Sequence, residues 1–99
     1  MTIEYLTVLN VTDDNIYKEY RAAMTPILEK YGGGFGYDLK ISEILKSEVD
    51  TPINRVFTMY IDSDEASEAF FSDEEYLKIR GQYYNKSVSF LAIVSKYDK

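Results

Sequence analysis

The chain contains no cysteine and no histidine. The first absence excludes disulfides, thiolate metal sites and a thiol nucleophile. The second removes the commonest general base at neutral pH, the Ser-His-Asp arrangement, and nearly all zinc and haem ligation. No metal or cofactor is therefore expected. Basic residues are few: 11 Lys and Arg stand against 17 Asp and Glu, a formal charge of −6. Such a surface repels phosphate backbones and anionic membranes, so neither nucleic acid nor a membrane is an expected partner. No apolar run approaches the ~20 residues that span a bilayer. The opening MTIEYLTVLNV carries Glu4 and no basic leader, and it alternates with Thr and Asn as a strand does. That pattern places the protein in the cytoplasm as an expectation.

What is there is an ordinary globular balance. The 99 residues are 45% hydrophobic and 28% charged, which fits a single domain over residues 1–99. A chain this short buries only roughly 60–70% of the surface it exposes when unfolded, so a second copy would add useful core. Residues 3–11 are rich in β-formers, with Ile3, Tyr5, Leu9 and Val11 on one face and Leu6 and Val8 on the other. Thr12-Asp13-Asp14 then supplies an N-cap and an acidic first turn. From there Ile16, Tyr17, Tyr20, Ala23, Met24, Ile27, Leu28 and Tyr31 recur at helical spacing. Lys18, Glu19, Arg21, Ala22, Thr25 and Glu29 fill the polar face. Pro26 falls on that polar side, where it bends a helix around a core without ending it.

The helix runs into EKYGGGFGY at residues 29–37. A phosphate cradle needs a strand, then glycines, then a Lys-Ser/Thr pair opening a helix. Here the glycines follow a helix, open a strand and lack the lysine, so they read as a turn. Gly32 takes the left-handed conformation beyond the helix end, and Gly33 and Gly34 carry the chain into a strand. Gly34 is expected at a strand entry that tolerates a Cβ. Phe35, Tyr37, Leu39 and Ile41 form one apolar face of that strand. Residues 46–54 are a polar turn, and residues 55–61 are a strand apolar on both sides. Asp62-Ser63-Asp64-Glu65 caps a helix through Ala66, Ala69, Phe70 and Phe71. Asp73-Glu74-Glu75 restarts it through Tyr76, Leu77, Ile79, Tyr83 and Tyr84, and residues 88–97 form the last strand. The carboxylates at 62, 64 and 73 loosely match a calcium loop. Ala66 and Ser67 stand where an oxygen ligand and the glycine belong, so the acids are read as helix caps and no metal site is assigned.

The order βαββαβ predicts an α+β, ferredoxin-like domain: a four-stranded antiparallel sheet with two helices on one face. The first, third and last strands carry apolar residues on both faces. A monomer rarely exposes a large apolar patch, so the expected partner is a second copy packed sheet to sheet.

Ten tyrosines are the most unusual feature of the composition. Tyr17, Tyr20 and Tyr31 lie on the first helix, and Tyr76, Tyr83 and Tyr84 on the second. A buried tyrosine must place its hydroxyl somewhere. One reading is that the rings only fill core and seam in a non-catalytic dimeric module. The other is a cavity between sheet and helices that takes a small aromatic or polyketide-like ligand without a cofactor. Tyr20, Tyr31 and Tyr83 would shape that pocket, and Arg55 or Arg80 would hold an anionic group. No residue is singled out as catalytic.

Pro26-Ile27-Leu28-Glu29-Lys30-Tyr31-Gly32-Gly33, then Arg55-Val56-Phe57, then Glu75-Tyr76 with Arg80, resemble the family known as domain of unknown function thirteen-thirty. The resemblance spans almost the whole chain, and its most specific piece is the KYGG turn. It implies membership of the dimeric α/β-barrel superfamily and a sheet-to-sheet dimer. Relatives at that level include cofactor-free antibiotic-biosynthesis monooxygenases, muconolactone-type isomerases and polyketide cyclases. Two places depart from the pattern. Gly34 stands where the family usually has arginine, and Tyr60-Ile61-Asp62 replaces a Glu-Phe-Pro.

Overall fold

A computed structural model describes residues 2–99. The chain runs β1 (Ile3–Val11), α1 (Asp14–Lys30), β2 (Gly34–Lys40), β3 (Arg55–Ile61), α2 (Asp64–Phe71) and α3 (Glu74–Ile79). A π-helical turn (Arg80–Tyr84), a last helical turn α4 (Asn85–Ser87) and β4 (Val88–Asp98) complete it. The strands form one antiparallel sheet in the order β2-β3-β1-β4. β1 and β3, both apolar on two sides, take the two central places.

Helices α1, α2 and α3 each start where a short acceptor side chain meets N–H groups that have no partner inside the helix. Asp13 Oδ1 accepts from Ile16 N at 3.1 Å, Ser63 Oγ from Ala66 N at 3.1 Å, and Asp73 Oδ1 from Tyr76 N at 3.0 Å. Met24, Ile27 and Leu28 of α1, Phe70 of α2 and Tyr76 of α3 share one core with Ile3, Leu9, Val11, Phe57, Met59 and Ile61 of the sheet. Pro26 is exposed, and α1 continues past it to Lys30. One turn earlier, the Thr25 hydroxyl donates to the Arg21 carbonyl at 2.5 Å.

The glycines end α1 as the spacing predicts. Gly32 has φ +77°, its N–H donates to Glu29 O at 3.0 Å, and Gly33 N–H donates to Leu28 O at 3.0 Å. That double pairing is the Schellman closure. Packing adds a constraint that spacing does not carry. A Cβ on Gly33 would lie 2.8 Å from the Tyr60 carbonyl oxygen, and one on Gly34 would lie 2.8 Å from Cζ of the Tyr60 ring. Gly34 is therefore no tolerant strand entry, because β2 approaches Tyr60 too closely for a side chain unless that ring moves.

Two further expectations are corrected. β2 carries a bulge: Phe35 pairs with Met59, but Asp38, not Tyr37, pairs with Phe57. One extra residue reverses the alternation. Phe35 and Asp38 face the helices, whereas Leu39, opposite Val56, lies on the other side of the sheet and is 53% exposed. Ile41 lies beyond the strand. Leu77 is 46% exposed rather than on the core stripe. The break between Phe71 and Glu74 starts a new helix with its own phase, and Tyr76 takes the inward place.

The helices cover one face of the sheet. On the other face Leu39, Val56, Val8 and Ala92 are successive cross-strand partners, an apolar row that crosses all four strands. Glu4 lies on the same side and accepts from Tyr97 Oη at 2.6 Å and Lys99 Nζ at 3.0 Å. Those donors, Tyr97 first, hold its carboxyl below the usual range. Among the described residues no helix is long and apolar enough to cross a membrane.

Candidate functional site

Helical spacing puts Tyr17, Tyr20 and Met24 of α1 over the sheet, and β alternation puts Tyr5, Thr7, Phe57 and Met59 beneath them. The two layers do not close completely. A cavity of about 330 Å³ remains between them, walled by Phe35 on the β2 side, Leu91 and Ile93 on the β4 side, and Phe70, Phe71 and Tyr76 above. The π-helical turn brings Arg80 and Tyr84 to the same space. A π-turn inside a helical run often marks a functional position, since it re-aims side chains that a regular helix would turn away.

Tyr20 is the hub of the roof. Its ring lies 5.7 Å from Tyr17, 5.4 Å from Tyr84 and 6.4 Å from Tyr76 between centroids. Its hydroxyl meets that of Tyr76 at 2.9 Å in a buried pair. Burial, and then the neighbouring Tyr76, push the Tyr20 hydroxyl well above the usual tyrosine range, and burial also raises Tyr76. Both rings are neutral at physiological pH and act as hydrogen-bonding groups.

Two arginines line the wall, and Arg21 is the one held against the α1–β2 side. Its Nε donates to Tyr17 Oη at 3.0 Å, and its guanidinium carbon sits 3.7 Å from the Phe35 ring centroid and 5.0 Å from that of Phe57. Its Nη2 is 3.1 Å from Asp38 Oδ1, yet it is buried and makes no hydrogen bond of acceptable geometry. Tyr17 and Arg21 also line a second groove, of about 310 Å³, with Lys18, Asp38, Leu39, Lys40 and Arg55. Beside that groove Asp14 accepts from Arg55 Nη2 at 2.7 Å and from Lys40 Nζ at 3.3 Å. The two cations, Lys40 first, lower the Asp14 carboxyl below its usual range.

Of the residues that the sequence nominates, Tyr20 and Arg80 line the cavity. Tyr31 does not. Its hydroxyl donates to Asp73 Oδ2 at 2.7 Å and its ring meets Phe70 edge-on, so it ties the end of α1 to the start of α3. Arg55 lines the groove instead, and Tyr83 is half-buried outside both linings. Helical spacing predicts Arg21 on the polar face of α1. A long side chain at the border of an apolar stripe can lay its stem and planar head along that stripe, and Phe35 offers the surface. The available signal is the Tyr17–Arg21 separation of one helical turn, which places the two side chains on neighbouring surface.

A family model described as a domain of unknown function (DUF1330) matches residues 5–97. A protein of unknown function from Rhodopseudomonas palustris has the same fold with a TM-score of 0.81 at 16% identity, over 99% of this chain and 82% of that one. A dabb family protein with a ferredoxin-like fold from Mesorhizobium loti gives 0.63 at 12% identity, over 99% and 96%. A candidate antibiotic biosynthesis monooxygenase from Nitrosomonas europaea gives 0.59 at 14% identity, over 99% and 89%. No curated protein matches the chain. At these identities the likeness is one of fold, and the fold is α+β and ferredoxin-like.

Proposed function

The chain belongs to the DUF1330 family, and we propose that this member binds a small aromatic or polyketide-like molecule in the cavity between sheet and helices. The observation that carries this reading is the cavity itself. At about 330 Å³ it falls at the lower end of the ~300–1,000 Å³ of small-molecule sites, and most of its wall is apolar and aromatic. The lining residues that carry a polar end are Tyr5, Thr7, Tyr17, Tyr20, Tyr76 and Tyr84, with hydroxyls, and Arg21 and Arg80, with guanidinium groups. Among the described residues no carboxylate lines it, so the wall offers donors to an enolate or phenolate oxygen but no ordinary base. Any turnover would start from a substrate that has already lost its proton to water, and those donors would stabilise its oxyanion, without a cofactor.

A thermal-shift screen of small aromatic acids, phenols and polyketide-like compounds tests the reading. A ligand that binds only the native state stabilises it by ~2.7 kcal/mol at a hundredfold excess over Kd, which is several degrees for a domain this size. Hits that a bulky substitution inside the cavity, Met59→Trp, abolishes are the expected result. An absence of hits across a broad screen would sink it.

A second reading draws on a specific observation. Several tyrosine hydroxyls are already satisfied within the protein: Tyr20 by Tyr76, Tyr5 by Ser67 and Tyr31 by Asp73. A non-catalytic dimeric module would need nothing more. Both readings share the proposal that two copies pack through the uncovered sheet faces, which the apolar row Leu39-Val56-Val8-Ala92 supports. The screen separates them.

A further inference from the structure

We propose that Tyr17 and Arg21 form a carboxylate-recognition point at the seam between the cavity and the basic groove beside it, so that the ligand is an aromatic acid whose ring lies in the cavity. The inference rests on the cavity reading above and deepens it. Four of the chain's 11 basic residues, Lys18, Arg21, Lys40 and Arg55, line one groove of a protein whose formal charge is −6. Asp14 and Asp38 answer part of that charge: Asp14 pairs with Lys40 and Arg55, and Asp38 with Arg21. Lys18 has no ion pair among the described residues. With Asp38 in the lining and Asp14 paired to Lys40 and Arg55 beside it, the four positive charges of the groove face two negative ones, a local excess of two positive charges.

The seam holds two donors without a hydrogen bond of acceptable geometry, one of them in an ion pair with Asp38. Tyr17 Oη accepts from Arg21 Nε at 3.0 Å, and among the described residues its own O–H has no acceptor. Arg21 Nη2 is buried without a hydrogen bond, though Asp38 Oδ1 is 3.1 Å away. A buried unpaired donor is costly, and in a native protein it calls for a partner. A carboxylate offers two acceptor oxygens on one carbon, which suits a guanidinium edge and a neighbouring hydroxyl together. Stacking on Phe35 at 3.7 Å holds the guanidinium plane while leaving its edge available. Burial keeps the Tyr17 hydroxyl above its usual range, so it stays a donor at physiological pH. An acid at this point would lie beside Lys18, Lys40 and Arg55 in the groove, with its ring among the tyrosines of the cavity.

The test compares 2-naphthoate with 2-naphthamide, the same ring with a charged and a neutral head, by calorimetry on the parent protein, Arg21→Gln and Asp38→Asn. The parent is expected to bind the acid about tenfold more tightly than the amide, the difference that one charge-assisted hydrogen bond supports. Arg21→Gln should erase that preference by weakening acid binding about tenfold, to the level of the amide. Asp38→Asn removes the competing carboxylate, so it should strengthen acid binding and leave the amide alone; a purely structural Arg21 predicts no such gain. A melting curve for each variant establishes that it folds, and the Asp38→Asn arm stands even where Arg21→Gln does not fold. Equal affinity for acid and amide in the parent, or indifference of the acid to Asp38→Asn, overturns the carboxylate point while the cavity reading stands. Binding of neither compound overturns both.

Discussion

Tyr20 and Tyr76 lie 56 positions apart in sequence, and each hydroxyl is the other's buried partner at 2.9 Å. Removing one oxygen leaves the other without a partner in the core, whereas removing both leaves only rings that still pack. We therefore expect Tyr20→Phe and Tyr76→Phe each to cost about 1–2 kcal/mol, and the double variant to cost clearly less than their sum. Urea denaturation of the four proteins measures it, and strict additivity would show that the pair is not coupled. The same scale explains why Arg21 is hard to find by spacing. Its position marks it as polar, and only the ring of Phe35, brought over from β2, gives its head an apolar surface to lie on.

At the scale of the element, caps decide where helices begin, and their signals are local. Ser63 and Asp73 cap α2 and α3 in the same way, but Asp73 also accepts from the Tyr31 hydroxyl at 2.7 Å. Ser63→Ala should cost about 1 kcal/mol. Asp73→Ala should cost more, because it removes the cap of a six-residue helix together with the link to the end of α1. Denaturant midpoints compare the two, and equal losses would show that the Tyr31 contact adds nothing. The β2 bulge belongs to this scale as well. Alternation across Phe35, Tyr37 and Leu39 reads as one face, and nothing in those residues announces the extra position. Pairing with β3 imposes it.

For the whole molecule, the proposed pairing through the open sheet face makes a direct prediction. Light scattering of the parent at micromolar concentration should give about twice the chain mass of 11.5 kDa. Val56→Arg, placed in the middle of the apolar row, should give the chain mass with the circular dichroism of the fold retained. A parent at the chain mass would end the proposal. Stability should also follow pH in a way set by which groups are present. No histidine titrates between about pH 5 and 8, so a plateau is expected there. On the acid side the Glu4, Asp14 and Asp73 carboxyls are lowered by their donors, from ordinary values of 4.5, 3.8 and 3.8. Their contribution is present above those values and is lost as the pH falls below them, because the unfolded chain then binds more protons. On the alkaline side Tyr17, Tyr20, Tyr76 and Tyr84 are raised by burial above 10.0. Their contribution is full below about pH 10 and is lost as the pH rises further, since only the unfolded chain then releases those protons. Urea midpoints at pH 3, 7 and 11 check both signs; a midpoint at pH 11 equal to that at pH 7 would contradict the burial of the four rings.

The sequence by itself determined the element order, the helix caps, the left-handed Gly32 and the excess of apolar faces over helices available to cover them. Each of these depends on periodicity or on residues within one turn of each other. Tertiary structure alone decided which tyrosines meet, that Tyr31 serves a junction while Tyr17 serves a cavity, and that Arg21 and Arg55 share a groove with Lys40. Those outcomes depend on how strands far apart in sequence pair and on where a bulge shifts their register, and a space between two packed layers belongs to neither layer's sequence.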